Sequence, residues 1–347
     1  MKNKINSIYN ATVGILNFPS VAFFLYKNVK KQKQFIKKNI LPILNSFENS
    51  NDGSISKIDI KKVTNYYALG IPGFLGAAFG VLRGKALLNT ERFTMTYLGG
   101  ISGLLDDLFD DPHKKWNHLE NFILNPDSMM PTNSFETLLL QLYKDGLSKA
   151  SNPEKLKQKA FEVFQTEKES IFQQEKGISE DKIKELTFSK GGNSFLFYRL
   201  CMQHPLNAAE EKLMFQVGGL MQLGNDIFDV WEDSQQQIKT LATCSQDINK
   251  LRKTFIEELN LIVEYAHATS YHEKNIQQFL NFIFLGISRV FVCLDQFKKL
   301  QASENSIFQP EEYSRKQLIC DMELFKNKKA AIKHYLWLHS QYLQTFI

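Results

Sequence analysis

The stretch Asn207–Asp233, NAAEEKLMFQVGGLMQLGNDIFDVWED, decides the fold class of this chain. Apolar residues recur in it at intervals of three and four, which is the period of a helix with one buried face. Asn207 followed three residues later by Glu210 is a capping pattern that marks a helix start. The stretch therefore predicts a long helix that begins at Asn207 and reaches about residue 234.

The same helical period recurs along the whole chain, whereas the alternation typical of strands does not. The predicted helices cover residues 29–48, 55–69, 73–87, 90–111, 134–149, 153–174, 180–203, 207–234, 245–268, 273–300 and 311–344. No low-complexity linker divides the chain. We therefore expect an all-α protein with a single helical bundle over residues 51–347 and a looser helical appendage over residues 1–50.

Composition excludes several classes of function. The four cysteines show no CxxC spacing, which fits a reducing cytoplasm and gives no zinc site or disulfide framework. The seven histidines show no HExxH pair. The net charge of +5 is mild and lysines are spread over many helices, so we expect no nucleic-acid partner.

The apolar segment Val13–Tyr26 bears on location. It is shorter than the roughly 20 residues that a spanning helix needs, contains Asn17 and Pro19, and lacks a small-residue cleavage site. We interpret it as a packed or membrane-grazing helix rather than a targeting segment. The predicted location is cytoplasmic, with peripheral membrane contact left open, and the predicted assembly is a monomer or a homodimer.

Two acidic clusters end two of the longest apolar helical patterns and begin 119 residues apart. We call Asp106, Asp107 and Asp110 the first acidic cluster, and Asn225, Asp226, Asp229 and Asp233 the second acidic cluster. Spacings of three and four place these side chains on one helix face. A carboxylate at a helix C-terminus costs a few tenths to about 1 kcal/mol. Since Mg²⁺ prefers such oxygen ligands and would relieve the repulsion, both clusters are candidate metal sites.

Aromatic residues and glycines surround the clusters in sequence. Phe79, Tyr97 and Phe195 are predicted to line an apolar cavity, although any one ring is more often an ordinary core residue. Ring faces also attract positive charge, as a carbocation reaction would require. Gly99, Gly100, Gly103, Gly218, Gly219 and Gly224 indicate either close helix approach or space for a ligand.

These motifs resemble those of class I isoprenoid diphosphate enzymes, which include terpene synthases, squalene and phytoene synthases, and chain-elongating prenyl diphosphate synthases. Asp106-Asp107-x-x-Asp110 is similar to their first DDxxD motif. Gln222-x-x-Asn225-x-x-x-Asp229-x-x-x-Asp233 is similar to the squalene and phytoene synthase pattern. Asn225-Asp226-x-x-Asp229-x-x-x-Asp233 also resembles the second aspartate-rich motif of elongating synthases, with Asn225 in place of the first aspartate. Asn225-x-x-x-Asp229-x-x-x-Asp233 has the register of the NSE triad of terpene cyclases, with aspartates in place of Ser or Thr and Glu.

The resemblance implies a fold, a reaction and a set of roles. The fold is the class I terpenoid synthase bundle, and the cofactor is three Mg²⁺ ions bound by the two acidic clusters. Both clusters except Asp226 are also expected to act in catalysis. Binding of a prenyl diphosphate is expected from Lys190, Arg199, Lys239, Arg315 and Gln222, together with the aromatic residues Phe79, Tyr97 and Phe195.

Three branches of the family and one non-enzyme function remain alternatives. Elongating synthases carry a GKxxRP-like element far upstream of DDxxD, whereas Arg83-Gly84-Lys85 lies only 23 residues before Asp106 and lacks Arg-Pro. We therefore expect a terpene synthase acting on one allylic diphosphate of C15 or longer. The alternatives are a head-to-head prenyltransferase, then an elongating synthase, and a degenerate lipid-binding helical protein.

Overall fold

The computed structural model describes the backbone of residues 2–110, 116–303 and 307–343, and the side chains of residues 19–109, 116–302 and 307–343. Within these ranges the chain forms about 13 helices and no strand. The prediction of an all-α protein is confirmed.

The helices are numbered in chain order. They are α1 (Lys2–Asn39), α2 (Leu41–Ser46), α3 (Lys57–Arg83), α4 (Asn89–Asp110), α5 (Trp116–Leu124), α6 (Ser134–Ser148), α7 (Pro153–Glu169), α8 (Glu180–Leu200), α9 (Ala208–Phe228), α10 (Val230–Gln235), α11 (Ile248–His267), α12 (Glu273–Ser303) and α13 (Phe325–Tyr342). A single helical turn, Arg315–Leu318, precedes α13. The predicted start of the 207–234 helix is confirmed, because the Asn207 side chain accepts a hydrogen bond from the Glu210 amide at 2.9 Å.

Three predicted boundaries are wrong. The helix expected over residues 29–48 is the end of α1, which begins at Lys2 and ends at Asn39, followed by the short helix α2. Residues 55–69 and 73–87 were expected to be separate helices, but α3 is continuous because two π-helical turns, Lys62–Tyr67 and Ile71–Leu75, carry it past Pro72. Residues 311–344 were expected to be one helix, but the chain is extended at Ile319 and Leu324. The Gln296 side chain on α12 donates a hydrogen bond to the Ile319 carbonyl at 3.1 Å. In a continuous helix this carbonyl would instead accept a hydrogen bond from a backbone amide one turn later.

Two compact units make up the chain. The first unit comprises Ala22–Glu167 and Leu196–Leu206, and the second unit comprises Met1–Val21, Lys168–Phe195 and Asn207–Ile347. The first acidic cluster belongs to the first unit, and the second acidic cluster belongs to the second unit. The domain boundary predicted near residue 50 stays a prediction.

In the first unit, α4 packs against α3 and α6. The C-terminal half of α1 lies on the same core, because the buried Gln32 side chain donates to the Ala68 carbonyl and to Thr96 Oγ1, both at 2.8 Å. Arg92 donates back to Gln32 Oε1 at 2.6 Å. This buried polar network fixes α1 against both α3 and α4.

In the second unit, α9, α11 and α12 pack against one another, and α13 covers α12. Several of these contacts join aromatic rings. Phe255 of α11 meets Phe291 of α12 edge to face at 5.4 Å, and Phe291 also meets Trp337 of α13 at 5.5 Å. Such ring pairs add to the stabilisation from burial alone.

Two of the described helices are long and apolar enough to cross a membrane, namely α3 and the Glu273–Ala302 part of α12. Two-thirds of the most apolar window of α12 is buried inside the protein. Half of the corresponding window of α3 is buried. Length and hydropathy alone select both helices.

Candidate acidic sites

The first acidic cluster lies at the C-terminal end of α4, as the sequence predicts. Asp106 is exposed and accepts a hydrogen bond from the Tyr67 hydroxyl at 2.9 Å. Asp107 is partly exposed and forms an ion pair with Lys62. The side chain of Asp110 lies outside the described residues. Both described carboxylates of this cluster therefore have partners from α3.

The first π-helical turn of α3 supplies both partners. Lys62 and Tyr67 are five residues apart and stand at the two ends of this turn, so the wider winding of a π-helix brings them to one face. Gly103 of α4 lets the ring of Tyr67 pass, because a Cβ at that position would collide with the ring. A Cβ at Gly99 would lie only 3.3 Å from the Tyr67 carbonyl oxygen. Close helix approach is thus the role of these glycines.

Tyr198 lies beside the same cluster within the first unit. Its ring is buried and its hydroxyl contacts that of Ser102, one turn before Asp106. Burial raises the pKa of Tyr198 far above the usual value for a phenol, and the negative charge of Asp106 acts in the same direction. Tyr198 therefore stays protonated at every physiological pH.

The second acidic cluster has few positive partners and is more deeply buried. Asp226 is buried and accepts hydrogen bonds from Gln222 Nε2 at 2.9 Å and Thr187 Oγ1 at 3.1 Å. Burial nevertheless raises the pKa of Asp226 to about 6. Burial, followed by the charges of Asp226 and Asp229, raises the pKa of Asp233 to about 7. Near neutral pH, ionising these carboxylates is therefore energetically unfavourable.

Asp229 joins α9 to α10 without interrupting the backbone hydrogen bonds. Its amide donates to the Asn225 carbonyl at 2.9 Å, and its carbonyl accepts from the Asp233 amide at 2.8 Å. Asn225 Nδ2 also donates to the Asp229 carboxylate at 2.6 Å. Burial and the nearby Glu232 raise the pKa of Asp229, so three carboxylates of this cluster are harder to ionise than free aspartates.

Lys190 lies within reach of the second cluster. Its positive charge lowers the pKa of both Asp226 and Asp233 and so partly offsets the effect of burial. α8 runs unbroken through Lys190, Gly191 and Gly192, in agreement with the helix predicted over residues 180–203. Gly191 allows close helix approach, since a Cβ at this position would collide with the backbone of Gly218 on α9. This backbone contact holds α8, and with it Lys190, against α9.

The other predicted diphosphate-binding residues have partners of their own. Arg199 is fully buried in the first unit, where its guanidinium donates to the carbonyls of His204 and Pro205, both at 3.3 Å. Lys239 Nζ donates to the Glu175 carbonyl at 2.8 Å. Arg315 is exposed and lies 3.7 Å from Glu232, the neighbour of Asp233. Of these three side chains, Arg315 has the longest contact with its partner and is the most exposed.

The predicted aromatic residues are core residues of their units. Phe79 is 2% exposed and Phe195 is 8% exposed. The ring of Tyr97 stacks on Phe93 at 4.0 Å, and its hydroxyl donates to the Asn39 carbonyl at 3.1 Å. A role in lining a substrate cavity stays a prediction for all three.

The donor chemistry of the second cluster fits Mg²⁺. Among the side chains that the structure describes, no three His, Cys, Asp or Glu residues converge on one point suited to a metal ion. Mg²⁺ does not need such a cage, because it is usually held by one or two carboxylates together with water and substrate phosphate oxygens. The mutual repulsion of Asp226, Asp229 and Asp233 is the property that a divalent cation would relieve.

No protein-family model matches this chain, and no curated protein is similar to it in sequence. The resemblance to isoprenoid diphosphate enzymes accordingly rests on the two acidic clusters and Lys190.

Proposed function

We propose that the chain is a Mg²⁺-dependent class I terpene synthase, with the bundle fold of that family, that ionises an allylic prenyl diphosphate of C15 or longer. One observation carries the proposal. Asp226, Asp229 and Asp233 hold raised pKa values beside Lys190, so the second cluster combines a demand for a cation with a donor for an anion.

The two acidic clusters would hold the metal ions. In the first unit the ligands would be Asp106, Asp107 and Asp110, and in the second unit Asn225, Asp226, Asp229 and Asp233. Bound Mg²⁺ would supply Lewis acidity that neutralises the charge on a departing diphosphate.

Side chains of the protein would orient the metal-binding carboxylates and bind the diphosphate. Gln222 and Thr187 fix the carboxylate of Asp226, and Asn225 fixes that of Asp229. These donors are already in place, so little reorganisation accompanies ligand binding. Lys190 would donate to the outer diphosphate oxygens, with the exposed Arg315 as a second donor. An aromatic lining would keep water from the carbocation.

The decisive experiment measures diphosphate release with Mg²⁺ from geranyl, farnesyl, geranylgeranyl and longer diphosphates, with and without isopentenyl diphosphate. We expect Asp106→Ala and Asp229→Ala each to lower release on the order of 10²-fold or more, because each removes a charged group that acts on the leaving diphosphate. Asp127→Ala is the matched control, since Asp127 is 87% exposed and pairs with Lys144 on the surface. Far-ultraviolet circular dichroism would show that the helices remain.

Mass analysis of the products distinguishes the alternatives. A product with the carbon number of the substrate supports a terpene synthase. A doubled carbon number would indicate head-to-head coupling, and added five-carbon units would indicate elongation. Binding of prenyl diphosphates without any release would favour the lipid-binding alternative and refute the proposed reaction.

A further inference from the structure

Lysines occur on many helices, but the net positive charge is concentrated at the start of the chain. Residues 1–40 contain eight lysines and no aspartate or glutamate, and the first acidic residue is Glu48. The other 307 residues contain 34 lysines and arginines against 37 acidic residues. The whole net charge of +5 therefore comes from these first 40 residues, which α1 nearly spans. Closely spaced like charges on one helix repel, so this arrangement favours an anionic partner.

One face of α1 is fixed to the first unit. Ile36 and Ile40 are 5% and 0% exposed, and Gln32 holds the hydrogen bonds to α3 and α4 described above. A Cβ on Gly73 of α3 would lie 3.8 Å from Val29 Cγ2, which is ordinary packing contact. Since this face is anchored, the side of α1 that points away from it has a fixed position on the first unit.

The outward side of α1 bears lysines and aromatic rings. Six lysines are exposed on it, and within the described residues none of them pairs with a carboxylate: Lys27, Lys30, Lys31, Lys33, Lys37 and Lys38. Phe23 is 57% exposed and Tyr26 is 61% exposed, just before the first of these lysines. Lys27 Nζ lies 4.4 Å from the centre of the Phe23 ring, so the two kinds of side chain share one surface.

We propose that this side of α1 docks on the surface of an anionic lipid bilayer. The lysines of residues 27–38 contact the negatively charged headgroups, and the rings of Phe23, Phe24 and Tyr26 enter the boundary between headgroups and acyl chains. An amphipathic helix with basic residues and aromatic rings binds membranes in this way. The rings adjoin the apolar run VGILNF at residues 13–18, and such an apolar run suits a lipid boundary better than a nucleic acid, whose bases need spaced stacking rings.

The test is cosedimentation of the full chain with vesicles of phosphatidylcholine alone and with vesicles that contain phosphatidylserine as well. We expect binding to the anionic vesicles that falls as salt is raised, because the attraction is screened. The variant Lys27→Gln/Lys30→Gln/Lys31→Gln/Lys33→Gln should bind about 100-fold more weakly, since each lysine near an anionic surface contributes severalfold.

A matched control removes the same charge elsewhere. The variant Lys155→Gln/Lys253→Gln/Lys298→Gln/Lys299→Gln changes four exposed lysines on other helices, and we expect it to bind within about threefold of the unchanged protein because long-range charge is screened. Replacing Phe23 and Tyr26 by serine should weaken binding about tenfold. Phe325→Ser, which removes a ring that is 81% exposed in the second unit, should have no effect.

Three outcomes would overturn the proposal. They are equal loss of binding in the two lysine variants, equal binding to neutral and anionic vesicles, and a preference for duplex or single-stranded DNA over anionic vesicles. All the substituted side chains are exposed, so the variants should fold, and circular dichroism verifies that they do. Vesicle binding requires neither Mg²⁺ nor a prenyl diphosphate, so it is tested separately from the proposed reaction.

Discussion

The two acidic clusters end helices of similar length, but their carboxylates meet different surroundings. In the first unit, Asp106 and Asp107 are at least partly exposed, and α3 provides a hydroxyl and an ammonium as partners. In the second unit, Asp226 and Asp233 are more buried, and their pKa values rise to about 6 and about 7. Similar aspartate spacings thus give one site whose described carboxylates have hydrogen-bond or ion-pair partners, and one site whose carboxylates are difficult to ionise.

The neighbouring helix accounts for the difference. In the first unit, α3 presents its polar side chains through a π-helical turn, and Gly103 admits Tyr67 between the helices. In the second unit, α8 meets α9 through glycine backbones, which leaves little room for long polar side chains at the contact. Lys190 stands at the edge of this contact and is one of the few cations within reach. A cation requirement is therefore expected mainly in the second unit.

The largest effect is expected from breaking the α8–α9 contact. Gly218→Val places side-chain atoms against the backbone of Gly191 and within 2.6 Å of Phe195 Cβ. We expect the free energy of unfolding to fall by about 3 kcal/mol or more, because neither backbone can yield. Urea denaturation measures the loss.

Two glycine variants serve as comparisons for that measurement. Gly286→Ala should change stability by less than about 1 kcal/mol, since the nearest atom to its new Cβ is 3.6 Å away. Gly103→Ala should cost less than Gly218→Val, because the ring of Tyr67 can rotate aside. Equal losses at Gly103 and Gly218 would contradict the contrast between the two contacts.

An intermediate effect is expected from the charge of the second cluster. The folded pKa of Asp233 is about 7, whereas an unfolded aspartate titrates near 3.9. Its contribution to stability is therefore fully present below about pH 4 and is lost as the pH rises through 7. The Asp233→Asn side chain stays neutral at every pH. At pH 8 we expect its free energy of unfolding to exceed that of the unchanged protein by about 2 kcal/mol, a figure reduced to account for the partial exposure of Asp233. Near pH 4 the two proteins should be equally stable.

Denaturation in a metal-free buffer at both pH values tests this expectation. Asp127→Asn is a suitable control, because the ion pair with Lys144 lowers the pKa of Asp127 and its loss should reduce stability slightly at pH 8. A variant at Asp233 that is less stable than the unchanged protein at pH 8 would show that the second cluster is already satisfied.

The smallest effect is expected at the first cluster. Lys62→Met removes the partner of Asp107, but both side chains are about a third exposed. Partly exposed ion pairs contribute about 1 kcal/mol or less, so the unfolding midpoint should shift only slightly. A loss comparable to that of Gly218→Val would mean that the ion pair with Asp107 is structural and would remove the proposed contrast between the two clusters.

Local signals in the sequence predicted much of the fold. Asn207 and Glu210 specify the start of α9, and the apolar period continues to its end, because both depend on residues within one helix. The acidic clusters were placed correctly at helix ends for the same reason. α5 was not predicted, because its nine residues are too few to establish a helical period of apolar residues.

The partners of the acidic residues could not be predicted. Lys62 and Tyr67 precede Asp107 and Asp106 by 45 and 39 residues, and their alignment depends on a π-helical turn that has no sequence signature. The interruption before α13 likewise depends on Gln296, which lies on another helix. Raised pKa values in the second cluster follow from burial, which only the packed chain reveals.

The first π-helical turn has a consequence for how this protein tolerates changes in length. Lys62 and Tyr67 share a face because five residues separate them in a widened turn. Deleting one residue between them would restore ordinary winding and leave the two side chains four positions apart, a spacing that also puts them on one helix face. The loss of a single codon in this turn would thus keep both partners of the first acidic cluster in place, whereas the same loss in an α-helical part of α3 would rotate the helix on one side of the deletion by about 100° relative to the other.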